Sequence, residues 1–184
     1  KKKYKKNDEF IVGIVGRIEE GKGQHILIEA INKLKEFDIK CLIVASATSD
    51  KYLEELKEKI TRLGLENKVI FTGFTKNINE FMQVFDVNVL ATKNETFGLV
   101  VIEAMVNKVA MIATNNGGPL EIIDDNVDGL LFDGSPEDLS EKIKFLFENK
   151  EFKNSLAISG YEKVQKKFNM DIQMKKIYEC LNES

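Results

Sequence analysis

FIVGIVGRIEEGKGQHILIEA, Phe10 to Ala30, is the stretch whose reading decides the fold. An apolar, β-branched run from Phe10 to Val15 enters a turn rich in glycine, Gly16 to Gly23. It leaves in a segment whose apolar residues recur three and four apart. The first run reads as a strand covered on both faces, the second as a helix laid on a sheet. The turn between them is then the first βα turn, which in such architectures is the usual phosphate site. Gly16, Gly21 and Lys22 stand where a P-loop wants them, but Gly23 replaces the Ser or Thr that would hold magnesium. A dinucleotide fingerprint fails as well, because Ile26 occupies the third glycine position. What is left is the planar fork of Arg17 and the point charge of Lys22 beside flexible backbone, a set suited to a pyrophosphate. A glycine turn with two solvated bases fits this segment alone equally well.

The same strand-to-helix rhythm continues outward. Strands are predicted at Phe10 to Val15, Cys41 to Ser46, Lys68 to Gly73, Val87 to Thr92, Val109 to Thr114 and Gly129 to Phe132. Helical periodicity covers residues 25–37, 51–64, 77–85 and 100–107, and the tail from Pro136 to Leu181 reads as two or three helices. The prediction is a Rossmann-like α/β fold, a doubly wound parallel sheet of about six strands with helices on both faces and a helical C-terminal tail. Ligands bind such sheets at the carboxyl ends of the strands, so three loops are candidates: Gly16 to Gly23, Gly73 to Asn79, and Thr92 to Gly98.

Length and composition narrow the function. The 184 residues suit one domain, 43% hydrophobic and 31% charged, with no apolar run long enough to span a bilayer. With 27 basic and 30 acidic residues the net charge is −3, which argues against a nucleic-acid binder. Two cysteines, Cys41 and Cys180, form no framework, so a cytoplasmic, reducing location is expected. The lysine-rich residues 1–9 read as a linker remnant, with contact to an anionic membrane surface, at its inner face, as the alternative. His25 is the sole histidine and has no cysteine nearby, so no metal site is expected.

A second stretch, NETFGLVVIEAM from Asn94 to Met105, sharpens the picture. Glu95 falls in the loop after the fourth strand and Glu103 about a turn and a half into the next helix. Helical side chains lean toward the N-terminus, so Glu103 is expected to point back toward the loop mouth alongside Glu95. Carboxylates only accept hydrogen bonds and so suit sugar hydroxyls, while the free N–H groups from Phe97 to Val100 suit an anion. Two glutamates eight apart are otherwise a common solvated helix face. Gly117 and Gly118 read as cleft lining or as a plain turn, and Asp124, Asp125 and Asp128 as loop caps rather than calcium ligands.

GRIEEGKG followed by LIEA, then VIFTGF, ETFGLVVIEAM, NNGGPLEII and DGLLF resemble, in order and spacing, the nucleotide-sugar-binding half of the group 1 retaining glycosyltransferases of GT-B architecture. The resemblance spans residues 10–181. It implies that Arg17 and Lys22 hold the donor pyrophosphate, that Glu95 binds the transferred sugar, and that Glu103 binds ribose. It further implies that Gly16 and the backbone of Phe97, Gly98 and Leu99 meet sugar and phosphate, and that Gly73 and Phe74 sit near the base. No cofactor or metal is implied: the cations replace the metal, and no Asp-x-Asp motif is present. The expected partners are a nucleotide-sugar donor such as a UDP- or GDP-sugar, and a glycan or lipid-linked acceptor held by an amino-terminal domain expected outside this chain. Thr96 and the preceding Thr92 to Asn94 depart from a loop that often carries serine or proline, a variation that bears on sugar choice. A nucleotide-sugar sensor, or an epimerase or phosphorylase on a related scaffold, are the alternatives.

Overall fold

The computed structural model describes residues 9–167. The lysine-rich leader, Cys180 and the end of the predicted helical tail lie outside them. Six strands form one parallel sheet: β1 Phe10–Ile18, β2 Ile39–Ala47, β3 Val69–Phe71, β4 Val87–Leu90, β5 Ala110–Thr114 and β6 Leu130–Phe132. Their order is β3-β2-β1-β4-β5-β6, the doubly wound order, so successive crossovers reverse direction between β1 and β4.

Alternation along the strands sorts side chains into two cores. In β1, Phe10, Val12 and Ile14 face one core while Ile11 and Val15 face the other, and in β2 Ile43 opposes Leu42 and Val44 in the same way. The first core is closed by α1 Gln24–Lys33, α2 Asp50–Leu63 and α6 Pro136–Glu148. The second is closed by α3 Ile78–Met82, α4 Leu99–Val106 and α5 Pro119–Ile122. Helix α7, Lys150–Lys167, serves both, with Leu156 and Ala157 in the first core and Val164 in the second. Gly13 faces the second core, where the ring of Phe85 stands 2.2 Å from the place a Cβ would take. No helix among the described residues is long and apolar enough to cross a membrane.

Two boundaries differ from expectation in ways that matter for the site. Strand β1 continues to Ile18, so Gly16 and Arg17, predicted as loop, are strand residues. The cause is β2, which also runs longer and pairs Gly16 with Ala45, Arg17 with Ser46 and Ile18 with Ala47. Helix α5 follows the Gly117–Gly118 pair and has no counterpart among the expected helices. Pro119 opens it at the first turn, where its missing N–H costs nothing.

Candidate functional site

The sheet itself creates the cleft. Strand β1 pairs β2 along its whole length but pairs β4 only from Val12 to Ile14. Beyond Val15 the two strands part, and the crevice expected at a reversal of strand order opens there. A cleft of about 330 Å³ beside this opening is lined by Gly16, Arg17, Lys22, Ser46, Phe74 and Thr75, among others. It thus unites residues from the first predicted loop with residues from the second.

Lys22 closes a single 3-10 turn, Glu20–Lys22, and is followed by Gly23 at φ 72°. A Cβ on Gly23 would lie 2.1 Å from the carbonyl oxygen of Ala91, so only glycine lets this turn rest against the chain leaving β4. The Lys22 ammonium then lies 3.3 Å from Oε2 of Glu95. The other oxygen of Glu95 accepts from the N–H of Gly98, at 3.3 Å, the residue preceding α4. Helix α4 has no side-chain cap of its own at Gly98, so the Glu95 carboxylate lies between a cation and a helix N-terminus.

Glu95 is braced from behind. Its carbonyl accepts from the N–H of Gly118 at 2.7 Å, and a Cβ on Gly117 would stand 2.2 Å from that same carbonyl oxygen. The glycine pair after β5 therefore packs on the Glu95 backbone, a role between the two readings that sequence left open. Asn116 reaches the neighbouring chain as well, donating to the Thr92 carbonyl at 3.4 Å.

Arg17 sits differently. Its guanidinium is 64% exposed and pairs with Glu19 at 3.2 Å, while its backbone carbonyl accepts a 2.7 Å hydrogen bond from Nε2 of Gln24. Gln24 is buried in the first turn of α1. Its partners in β1 were invisible to residue-type reasoning, because glutamine at a helix start carries no signature. Arg17 and Lys22 line one cleft without touching a common carboxylate.

The apolar residues of the candidate set form an open rim. Phe97, Leu99 and Phe74 are 73%, 66% and 69% exposed. Gly73, at φ 79°, turns the chain out of the β3 edge and presents Phe74 and Thr75 to the cleft. Glu103 stands exposed on α4 and is not among the residues lining the cleft. Partial burial raises its carboxyl above the ordinary glutamate range.

The residues set aside have structural partners. Nδ1 of His25 lies 2.9 Å from the hydroxyl of Tyr52, which joins α1 to α2. Burial first, and the charge of Lys59 second, lower the His25 pKa. Asp128 accepts from the N–H of Asp124 and pairs with Lys163 of α7 at 2.6 Å, and Asp125 accepts from the N–H of Leu131. These carboxylates cap a loop, as expected. Among the described residues no cluster of metal-ligating side chains occurs.

Comparisons with known proteins bear on the family and the fold. The Glycosyl transferases group 1 family matches residues 1–163. The capsular polysaccharide biosynthesis glycosyltransferase CapM of Staphylococcus aureus is 29% identical over 175 residues, which is 92% of this chain and 46% of that protein. Anabaena HepE, solved in complex with UDP and glucose, superposes with a TM-score of 0.88 at 30% identity, over 96% of this chain and 49% of its own. The C-terminal domain of the group 1 family protein LpcC from Francisella tularensis superposes with a TM-score of 0.81 at 33% identity, over 88% of this chain and 87% of its own. The chain spans about half the length of the curated relatives it matches. It belongs to the group 1 glycosyltransferases and has the fold of their C-terminal, GT-B domain.

Proposed function

We propose that this chain is the donor-binding domain of a retaining, metal-independent glycosyltransferase. The enzyme moves a sugar from a nucleoside-diphosphate sugar to a glycan or lipid-linked acceptor in cell-envelope polysaccharide assembly. The observation that supports this reading is that Arg17 and Lys22 line one cleft at the end of β1 and that Lys22 is in direct contact with Glu95 from the loop after β4. HepE, at 30% identity, is known with UDP and with UDP-glucose, and CapM, at 29%, is a capsule glycosyltransferase.

Breaking the bond between the sugar and the nucleoside diphosphate leaves negative charge on the departing phosphate. Preorganised cations at that point lower the barrier, because they need not reorganise as the charge develops. Arg17 offers a fork for two phosphate oxygens and Lys22 a compact charge. Glu95 accepts hydrogen bonds from hydroxyls of the transferred sugar, while the backbone of Phe97, Gly98 and Leu99 borders the sugar and distal phosphate, the Gly98 N–H being engaged by the Glu95 carboxylate. Glu103, which does not line the cleft, is assigned the ribose hydroxyls on the family resemblance, and Gly73 with Phe74 borders the base. The acceptor is held by an amino-terminal domain of the enzyme, and the lysine-rich leader allows a peripheral contact with anionic membrane.

Calorimetric titration with UDP, GDP, ADP and the matching nucleotide sugars tests this reading. Saturable binding that prefers one base, persists in EDTA and disappears in Arg17→Ala is the expected result. Binding that requires a divalent metal, or that Arg17→Ala leaves intact, contradicts it.

A further inference from the structure

Under the cleft, a row of hydrogen bonds joins the end of β5, the loop after β4 and the 3-10 turn after β1. Since β1 and β4 part after Ile14, the chain leaving each must find partners elsewhere. Thr92, two residues past β4 and 2% exposed, donates from Oγ1 to the carbonyl of Gly21 at 3.0 Å. The N–H of Lys93 donates to the same carbonyl at 3.2 Å. The carbonyl of Thr92 accepts in turn from Oγ1 of Thr114, at 2.7 Å, at the end of β5. Gly21 immediately precedes Lys22 in the 3-10 turn, so the row runs from β5, through the β4 loop, to the residue beside the cleft cation.

The hydroxyls have other carbonyls near them, and distance decides between them. Thr92 Oγ1 lies 3.4 Å from the Asn94 carbonyl, and Thr114 Oγ1 lies 3.2 Å from that of Leu90. A hydroxyl has one proton to give, and in each case the shorter contact is the one that links loops. Thr92 and Thr114 are both buried and neither lines the cleft. Their influence on a ligand is therefore indirect, and the shortest contact made by the Thr92 hydroxyl leads to the Gly21–Lys22 turn.

We propose that Thr92 is a positioning residue. Its hydroxyl sets the height of the Gly21–Lys22 turn so that the Lys22 ammonium meets the anionic part of a nucleoside-diphosphate ligand, and Thr114 holds Thr92 in place. The inference rests on the reading of Lys22 as a phosphate contact. It separates Thr92 from a residue that merely fills space. Valine has the same shape but no hydroxyl, whereas serine keeps the hydroxyl and loses a methyl group.

The test compares the 184-residue chain with T92V and T92S. Affinities are measured for UDP, GDP and ADP and for their parent nucleosides, and the base that binds tightest is followed. The ratio of nucleoside to diphosphate Kd reports the gain supplied by the phosphates. T92V is expected to cut this ratio by about 2- to 10-fold, the worth of one neutral hydrogen bond, with nucleoside affinity unchanged. T92S is expected to restore it. A full ratio in T92V, or equal losses for nucleoside and diphosphate, overturns the positioning role while leaving the site reading intact. A wild-type chain with no phosphate-dependent gain overturns the site reading and this inference with it. Should T92V not fold, T114V replaces it: a reduced ratio supports the row, and an unchanged ratio overturns it.

Discussion

Lys22 and Glu95, 73 residues apart in sequence, meet at 3.3 Å with only 27% and 19% of their side chains exposed. The carboxylate compensates the cation that, on the proposed reading, a donor pyrophosphate would claim. On the proposed reading Glu95 would have two tasks that separate on mutation, holding sugar hydroxyls and competing with phosphate for Lys22. In Glu95→Ala, affinity for the nucleotide sugar is expected to fall while affinity for the bare nucleoside diphosphate holds or rises. Titration of both ligands checks this, and equal losses for the two would contradict the sugar role.

Arg17→Ala and Lys22→Ala, placed in an active enzyme that contains this domain, should slow turnover by about 10²–10³, the usual consequence of losing one stabilising group at developing charge. Steady-state rates with the native donor decide the matter. A near-normal rate in both variants would remove these residues from the mechanism.

Two glycines of the same turn make a contrast in stability. Gly23 is left-handed and its Cβ would strike the Ala91 carbonyl, whereas a Cβ on Gly21 meets nothing within 4 Å. Gly23→Ala should cost about 2–4 kcal/mol, and Gly21→Ala less than about 0.5 kcal/mol. Urea unfolding of the two variants measures the difference, and similar costs would mean the turn does not press on β4 as described.

His25 is the single histidine, so its ring resonances are unambiguous in an NMR titration. Burial, followed by the Lys59 charge, lowers its pKa, so the midpoint should fall below 6.5. A lowered folded-state value means the fold favours the neutral ring. The associated stability is complete above pH 6.5 and is lost as pH falls through that value toward the lower folded-state midpoint. Thermal unfolding of wild type should therefore weaken across that window more than that of His25→Gln. A midpoint at or above 6.5 would refute the burial argument.

The two-residue and three-to-four-residue periods made the alternation of strands and helices readable, and with it the sheet class and the loops at its carboxyl edge. Those periods come from local geometry, which a handful of neighbours determine. The reading was less able to end β1, since a strand continues as long as its partner does and β2 lies more than twenty residues away. It found Glu95 and Lys22 as candidates in separate loops, and their contact needed β1 and β4, far apart in sequence, to pair side by side.

Sequence by itself thus determined the six-strand frame and the covering of both faces, and it nominated a set of residues suited to a charged, hydroxyl-rich ligand. Only the tertiary structure decided which of them meet. It placed Lys22 against Glu95, left Glu103 exposed on α4, seated Gln24 under Arg17 and ran the Thr114, Thr92 and Gly21 hydrogen bonds beneath the cleft. The physical reason is that residue type and spacing encode propensity over a few positions. A hydrogen bond between loops depends instead on distances that sum over every strand and crossover between them.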